Sequence, residues 1–365
     1  MKLIHCADLH LDSKMNTNLE GLQLKERKGE LLNSFVRMVD YADKNRVSAI
    51  LIAGDLFDKK NISATVRNTV MSEIIHHNRI RFFYLKGNHD SDNFLTGMEE
   101  IPENLYMFTD SWRSYELGSN IVVSGIELGE ENSGSAFLSL VLNEKKCNIV
   151  MLHGQEAVSD SKDKAEIINL KALRNKGIDY LALGHVHAYK KEVLDSRGVY
   201  CYPGCLEGRG FDECGEHGFV VLEIDEEQGT VEHTFVPFAK RKLFTVEVDV
   251  TGCPGTAEMI VRAEEEVKAA GCSGEDFVKF VLLGSIDVEC EKDVEYFRQS
   301  FTHRFYYVKV YDRTELSVDE KEFLLDESLK GEFVRTVMAA TDMDEELKNI
   351  VIRYGLQALA GEEVQ

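Results

Sequence analysis

The sequence predicts a layered α/β fold with parallel strands at its centre, and three observations carry that expectation. Apolar runs of strand length recur at Leu3–Ile4, Ile50–Ala53, Phe82–Leu85, Ile149–Leu152 and Tyr180–Leu183, and unbroken apolar runs mark strands buried on both faces. Amphipathic helical segments separate the early runs, the alternation from which α/β layers are built. Asp, Asn or His side chains come immediately after each run, placed where open α/β sheets present their ligands, beyond the carboxyl ends of the strands.

Taken in order, the first run leads into a long amphipathic helix over residues 22–44, with Leu31, Phe35, Met38, Val39 and Ala42 at helical spacing. A second helix carries Val66, Val70, Ile74 and Ile75 towards the sheet. The alternation continues through a helix at 170–176 and closes in strand-rich sequence from Val199 to Val236. Pro237 to Lys242, with a short basic run, is the best boundary, so a first domain is expected over 1–239. Beyond it the pattern restarts as strand 244–250, helix 256–270, strand 277–283, helix 294–300 and strand 305–311, a smaller α/β domain over 240–315. The remainder, 316–365, reads as a helical C-terminal tail. Its apolar stripes are Phe323, Phe333, Val334 and Val337, then Leu347, Ile350, Val351, Tyr354 and Ala358.

The residues able to carry chemistry sit just past the five strands: Asp8-Leu9-His10, Gly54-Asp55, Gly87-Asn88-His89-Asp90, His153, and Gly184-His185-Val186-His187. Hard carboxylate and amide oxygens mixed with imidazoles suit Mn, Fe, Zn or Mg, and no thiolate is required. Two such ions roughly 3.5 to 4 Å apart clamp a phosphate, acidify a bridging water to the attacking hydroxide, and stabilise the attacking and leaving oxygens of an in-line displacement. One bridging carboxylate is needed, and Asp55 is the natural candidate.

This set of motifs resembles the calcineurin-type metallophosphoesterase superfamily and, within it, the SbcD-type DNA-repair exonucleases. The narrower likeness rests on the run from Lys2 through Asp8 and His10 to Asp12, on Ala53-Gly-Asp-Leu-Phe-Asp58, and on Tyr202-Pro-Gly-Cys-Leu-Glu207 with Gly218-Phe219. It covers residues 1 to 240 well and the remainder in outline. The resemblance implies a metallophosphoesterase sandwich of two central sheets flanked by helices, with 240–315 as a capping domain that covers the nuclease site. It also implies a first metal held by Asp8, His10, Asp55 and His187, and a second held by Asp55, Asn88, His153 and His185. His89 then faces the scissile phosphate as general acid or charge stabiliser. A neighbouring carboxylate would orient it, Asp90 being the local candidate and a more distant group the alternative. Some family members carry a histidine where this chain has Asp58, so that histidine's role in positioning phosphate has no counterpart here; Asp58 is expected to cap the following helix. Lys14, Lys59, Lys60 and Arg209 lie near the loops of the site and are expected to touch substrate.

The implied activity is that of a two-metal phosphodiesterase, with Mn2+ the expected ion: the DNA exonuclease or endonuclease subunit of an SbcCD-like repair complex. The expected partners are DNA and an SbcC-type, SMC-like ATPase docked on the C-terminal helices, and a homodimer could form through residues 64–77 or the loop after His89. A net charge of −22 runs against a polyanionic substrate. It favours the alternative of a phosphodiesterase for cyclic nucleotides or other small esters; a noncatalytic scaffold for the ATPase is the other alternative. No apolar run reaches the roughly 18 to 20 residues that cross a bilayer, ligands begin by residue 8, and the eight cysteines lack paired metal or disulfide spacing. These features predict a cytoplasmic protein with reduced thiols. Cys201, Cys205 and Cys214 with His217 fit no common zinc finger.

Overall fold

The computed structural model describes residues 1–13, 15, 19, 21–58, 62–90, 92–95, 100–156, 167–287, 290–317 and 326–359. The chain divides into two compact units, Met1–Lys242 and Leu243–Gln365.

Two six-stranded sheets form the centre of the first unit. One runs, edge to edge, Thr230–Pro237 (β14), Gly218–Asp225 (β13), Lys2–Cys6 (β1), Ala49–Ala53 (β2), Arg81–Leu85 (β3) and Leu105–Met107 (β4). Strands β1 to β4 are parallel, β13 pairs antiparallel with β1, and β14 pairs antiparallel with β13. The other runs Lys190–Val193 (β11), Val199–Tyr202 (β12), Tyr180–Gly184 (β10), Cys147–His153 (β7), Ile121–Gly125 (β6) and Arg113–Leu117 (β5). Its four inner strands are parallel and both edges antiparallel. A short parallel pair, Gln155–Glu156 (β8) and Ile167–Ile168 (β9), lies apart from both.

Strand alternation builds the layers. Leu3, Ala49, Leu51, Ala53, Phe83 and Leu85 from one sheet meet Val123, Ile149, Met151, Tyr180 and Ala182 from the other, making a dry core between them. The opposite faces of the same strands, Ile4, Cys6, Ile50, Ile52 and Phe82, pack under the helices Gly21–Lys44 (α1) and Ala64–His76 (α2). On the far side Val150, Leu152, Leu181 and Leu183 are covered by Phe137, Leu140 and Leu173, from or beside the one-turn helices Ala136–Ser139 (α3) and Leu170–Leu173 (α4). The result is a sandwich of two central sheets flanked by helices, as the family resemblance implies.

Helix α2 begins at a cap the sequence reading did not find. Ser63 accepts a hydrogen bond from the Val66 amide, so the cap assigned to Asp58 belongs to Ser63. Of the apolar set expected on α2, Ile75 points outward.

The second unit contains a parallel three-stranded sheet, Leu243–Asp249 (β15), Phe277–Asp287 (β16) and Tyr307–Ser317 (β17). It is covered by Thr256–Ala270 (α5) and Val294–Thr302 (α6) through Met259, Ala263, Val267, Phe297 and Phe301. Helices Leu329–Ala339 and Glu345–Leu359 form a hairpin whose core is Val334, Val337, Ile352 and Leu356. The expected stripe is displaced here, because Ile352 and Leu356 turn inward at i, i+4 while Leu347 and Ile350 are exposed. Gly355 permits the close approach: a Cβ there would stand 2.0 Å from the Phe333 ring. Phe323 lies outside the described residues. No described helix is long and apolar enough to cross a membrane.

Candidate metal centre

Five loops meet at the carboxyl ends of five parallel strands, three from one sheet and two from the other. Asp8 and His10 follow β1, Asp55 and Asp58 follow β2, and Asn88, His89 and Asp90 follow β3; His153 ends β7, and His185 and His187 follow β10. The β1 and β2 loops are stitched together past the strand ends by Asp8 N–H to Gly54 O (3.1 Å), His10 N–H to Asp55 O (2.9 Å) and Leu11 N–H to Leu56 O (2.9 Å).

The backbone is bent to aim these side chains. Asp8, His10, Asp55 and His185 all have positive φ, at 53°, 45°, 51° and 101°, conformations that cost a non-glycine residue of order 1–3 kcal/mol and concentrate at functional sites. Gly54, at φ 92°, cannot be replaced without contact, since a Cβ would lie 2.0 Å from His153 Nδ1.

Three groups of ligand atoms result, one of them His10, Asp58 and His89, and the other two share Asp8. Asp8, His10 and His187 offer one set within 4.8 Å of each other, and Asp8, Asp55 and His153 offer another. Asp55 Oδ2 lies 3.4 Å from His153 Nε2 and 3.7 Å from His10 Nε2, between the groups. Asn88 Oδ1 is 3.1 Å from His153 Nε2. His185 gives its backbone N–H to both Asp8 oxygens (2.9 and 3.0 Å) and sets its ring edge-on to His153.

The donor chemistry fits cations. His153 Nδ1 donates to the Ala53 carbonyl (2.9 Å), which turns Nε2 towards Asp55 and Asn88. His187 Nδ1 donates to Glu213 Oε1 (2.7 Å), and its Nε2 points at His10 Nε2 only 3.1 Å away. Burial opposes protonation of His153, but the hydrogen bond and charge of Asp55, with Asp8 behind it, raise its pKa to about 9, so a proton supplies in this buried site the positive charge that a divalent ion would. Burial pushes the Asp8 carboxyl up and the His10 imidazole down. Burial also opposes ionisation of Asp55, but His153 and His10 outweigh it and bring its pKa down to about 2. This charged, oxygen- and nitrogen-rich cradle is what a divalent ion needs.

His89 stands apart, half exposed at the rim. Its Nδ1 lies 2.9 Å from Asp58 Oδ1, and its backbone N–H donates to Asp55 Oδ1 (2.9 Å). The hydrogen bond from His89 to Asp58 raises the His89 pKa against its partial burial. The carboxylate that orients His89 is therefore Asp58, three residues after Asp55, and the assignment to Asp90 is corrected. Asp90 accepts from the backbone N–H groups of Phe57 (2.8 Å), Gly87 (3.0 Å) and Leu56 (3.3 Å), fastening the β2 and β3 loops together. Burial raises its pKa to about 6.

Of the four cations expected to touch substrate, Lys14, Lys59 and Lys60 lie outside the described residues. Arg209 is buried and committed elsewhere: Nη2 donates to Glu213 Oε1 (2.9 Å) and Nη1 lies 3.9 Å from Asp58 Oδ2. Glu213 escaped the sequence reading because it matches no ligand motif; its only signal is its place four residues after Arg209. The cysteines do not assemble a metal site. Cys205 meets His217 (Sγ to Nδ1 3.2 Å), Cys201 faces Tyr180, and Cys214 bonds the Phe211 carbonyl. Among the described residues, no ligand group includes a cysteine.

Residues 1–189 match the family model described as calcineurin-like phosphoesterase. The chain is 26% identical over 300 residues to the uncharacterized metallophosphoesterase YhaO of Bacillus subtilis strain 168, a match spanning 78% of this chain and 72% of the relative. It is 25% identical over 301 residues to the DNA double-strand break repair protein Mre11 of Aeropyrum pernix, spanning 76% and 71%. The Sulfolobus acidocaldarius protein of the same name is 30% identical over 207 residues, spanning 53% and 52%.

Proposed function

The chain belongs to the calcineurin-like phosphoesterase family and is a metal-dependent phosphoesterase, and on that premise we propose that it is a two-metal phosphodiesterase acting on DNA. The observation that carries the two-metal reading is that Asp8 is common to two ligand groups while Asp55 faces histidines of both. Asp8, His10, Asp55 and His187 would hold one ion, and Asp55, Asn88, His153 and His185 the other, with Mn2+ the proposed metal. When bound, such a pair of ions neutralises charge developing at phosphorus and lowers the pKa of a water between them.

The protein's own part is positioning and proton transfer. Asp58 holds His89 Nδ1–H, so the protonated ring turns its Nε2–H outward at the rim, where a leaving oxygen would need a proton. The His89 backbone N–H fixes one Asp55 oxygen and frees the other for the centre. Glu213 and the Ala53 carbonyl set the tautomers of His187 and His153.

DNA as substrate is supported by the likeness to proteins named for double-strand break repair, over more than 70% of both chains in the Aeropyrum case. The net charge of −22 favours a second reading, a phosphodiesterase for small esters. The deciding experiment incubates the metal-stripped, Mn2+-reloaded chain with end-labelled single- and double-stranded DNA and with a small chromogenic phosphodiester, using His89→Ala as control. DNA cleavage absent from the variant establishes the nuclease. Turnover of the small ester alone rejects DNA as the substrate of the isolated chain.

We further propose that an SMC-like ATPase docks on the C-terminal helices, where Leu329, Leu347, Ile350 and Leu359 are exposed.

A further inference from the structure

Arg209 and Glu213 belong to no metal-ligand motif, yet both are buried beside the centre, at 8% and 7% exposure. We propose that they are positioning residues that lock the two imidazoles packed against His10 into one frame: Glu213 fixes His187, and Arg209 ties Glu213 to Asp58 and so to His89.

Every oxygen of Glu213 is engaged. Oε1 accepts from His187 Nδ1 (2.7 Å) and Arg209 Nη2 (2.9 Å), and Oε2 accepts the Arg209 backbone N–H (2.7 Å). Its own carbonyl takes His217 Nε2–H (2.8 Å), and its amide donates to Gly210 O (2.9 Å). The loop from 209 to 213 is thereby closed on its own carboxylate. With Nη2 pinned, the rigid guanidinium turns Nη1 towards Asp58 Oδ2 at 3.9 Å, and the other Asp58 oxygen holds His89. The groups run in series, His89, Asp58, Arg209, Glu213, His187, with charge alternating at the three central members.

The base of the loop is anchored independently. Arg27 of α1, fully buried, donates to the Gly208 carbonyl (2.8 Å) and pairs with Glu207 (2.9 Å). Glu207 also accepts from Ser34 (2.5 Å) and the Lys240 amide (2.7 Å). The loop is therefore held by helix α1 beneath and by its own ion pair above. The guanidinium is buried, its Nη2 bonded to Glu213 and its charge facing Asp58, so its effect on turnover passes through the residues it holds.

This inference rests on the reading of His187 as a metal ligand, and the test separates the two. Mn2+ binding to the whole chain is titrated by the spin-resonance signal of free ion, beside kcat and KM on a chromogenic phosphodiester. Glu213→Ala weakens one of the two sites by about 10- to 100-fold, the range for loss of a ligand's hydrogen-bond partner. Arg209→Met weakens the same site by a smaller factor and lowers kcat without raising KM, and the double variant binds no more weakly than Glu213→Ala. Arg209→Lys keeps the charge without the fork, guards against misfolding of the Met variant, and falls between it and wild type. Wild-type Mn2+ affinity in Glu213→Ala or Arg209→Met overturns the inference, as does a rise in KM alone for Arg209→Met, which would make Arg209 a substrate contact. His187→Asn is the control: unchanged affinity there refutes the ligand reading itself, and the inference with it.

Discussion

The pairing of His89 with Asp58 yields the sharpest test of the proposed chemistry. Asp58→Asn keeps the size of the side chain and removes the charge that faces His89 Nδ1 at 2.9 Å. A hydrogen bond between charged partners contributes about 1.5–3 kcal/mol, and each 1.36 kcal/mol is tenfold in rate, so kcat should fall about 10- to 150-fold. His89→Ala, which removes the acid itself, should cost about 10²- to 10⁴-fold. The leaving group decides whether proton donation is the reason. Nitrophenolate departs without a proton and an alkoxide does not, so both variants should lose more rate on an alkyl phosphodiester than on its nitrophenyl counterpart. The pH profile carries a sign: Asp58 raises the pKa of His89, the acid form is the active one, and losing Asp58 should move the alkaline limb of kcat to lower pH. Because Asp58 Oδ1 also lies 3.5 Å from His10 Nδ1, Mn2+ affinity is measured in parallel. Equal losses on both leaving groups, with metal affinity intact, would refute proton donation by His89 and leave it as a charge stabiliser.

The same geometry fixes four other outcomes. Asp55→Asn should lose metal and turnover together, read by Mn2+ titration and rate, because its carboxylate faces both ligand groups. Gly54→Ala should lower Mn2+ affinity at least tenfold and destabilise the fold by more than about 1 kcal/mol, since φ 92° is strained for alanine and the new methyl meets His153 at 2.0 Å. Burial raises the Glu30 carboxyl, but hydrogen bonds from Arg241, Lys240 and Arg27 outweigh it and hold the pKa at about 2. A depressed carboxylate stabilises the fold above its unfolded value and loses that contribution as pH falls, so on the order of 3 kcal/mol should drain away between about pH 4.5 and 2. Arg241→Met should flatten this slope in urea titrations of the metal-free chain. Deleting residues 318–365 should abolish co-purification with a co-expressed SMC-like ATPase and leave Mn2+ binding unchanged; retained association would refute docking on the C-terminal helices.

Legibility in the sequence was local. The five strands could be read because each is an apolar run buried on both faces, and the candidate ligands because each stands within four residues of a strand end. The helix Thr256–Ala270 could be read to the residue because Gly271 ends it in a left-handed turn. Pairings made across the fold left no such trace. Asp58 and His89 are 31 positions apart and Glu213 and His187 are 26 apart, and nothing in their spacing says which carboxylate reaches which ring. Asp90 looked right for His89 by adjacency, yet its side chain turns back to three loop amides. Strand β5 carries Arg113, Ser114 and Glu116 among its apolar residues, so it lacks the unbroken run that marks the others.

The centre also ties metal affinity to the packing of the two sheets. The two candidate ligand groups that share Asp8 draw on both: Asp8, His10 and Asp55 come from one sheet, His153 and His187 from the other. The backbone that aims them is strained at four positions, which persists only when the surroundings over-determine it. Directly beneath the site the sheets are joined by a buried polar contact, His5 Nδ1 to the Tyr180 hydroxyl at 2.9 Å, between strands that lead into Asp8 and His185. Tyr180→Phe removes that contact with little change in volume and touches no ligand. If sheet registry sets the distance between the ligand halves, this substitution should weaken Mn2+ binding severalfold. An unchanged affinity would mean that the loop-to-loop bonds, from Asp8 to Gly54 and from His185 to Asp8, are sufficient to hold the centre by themselves.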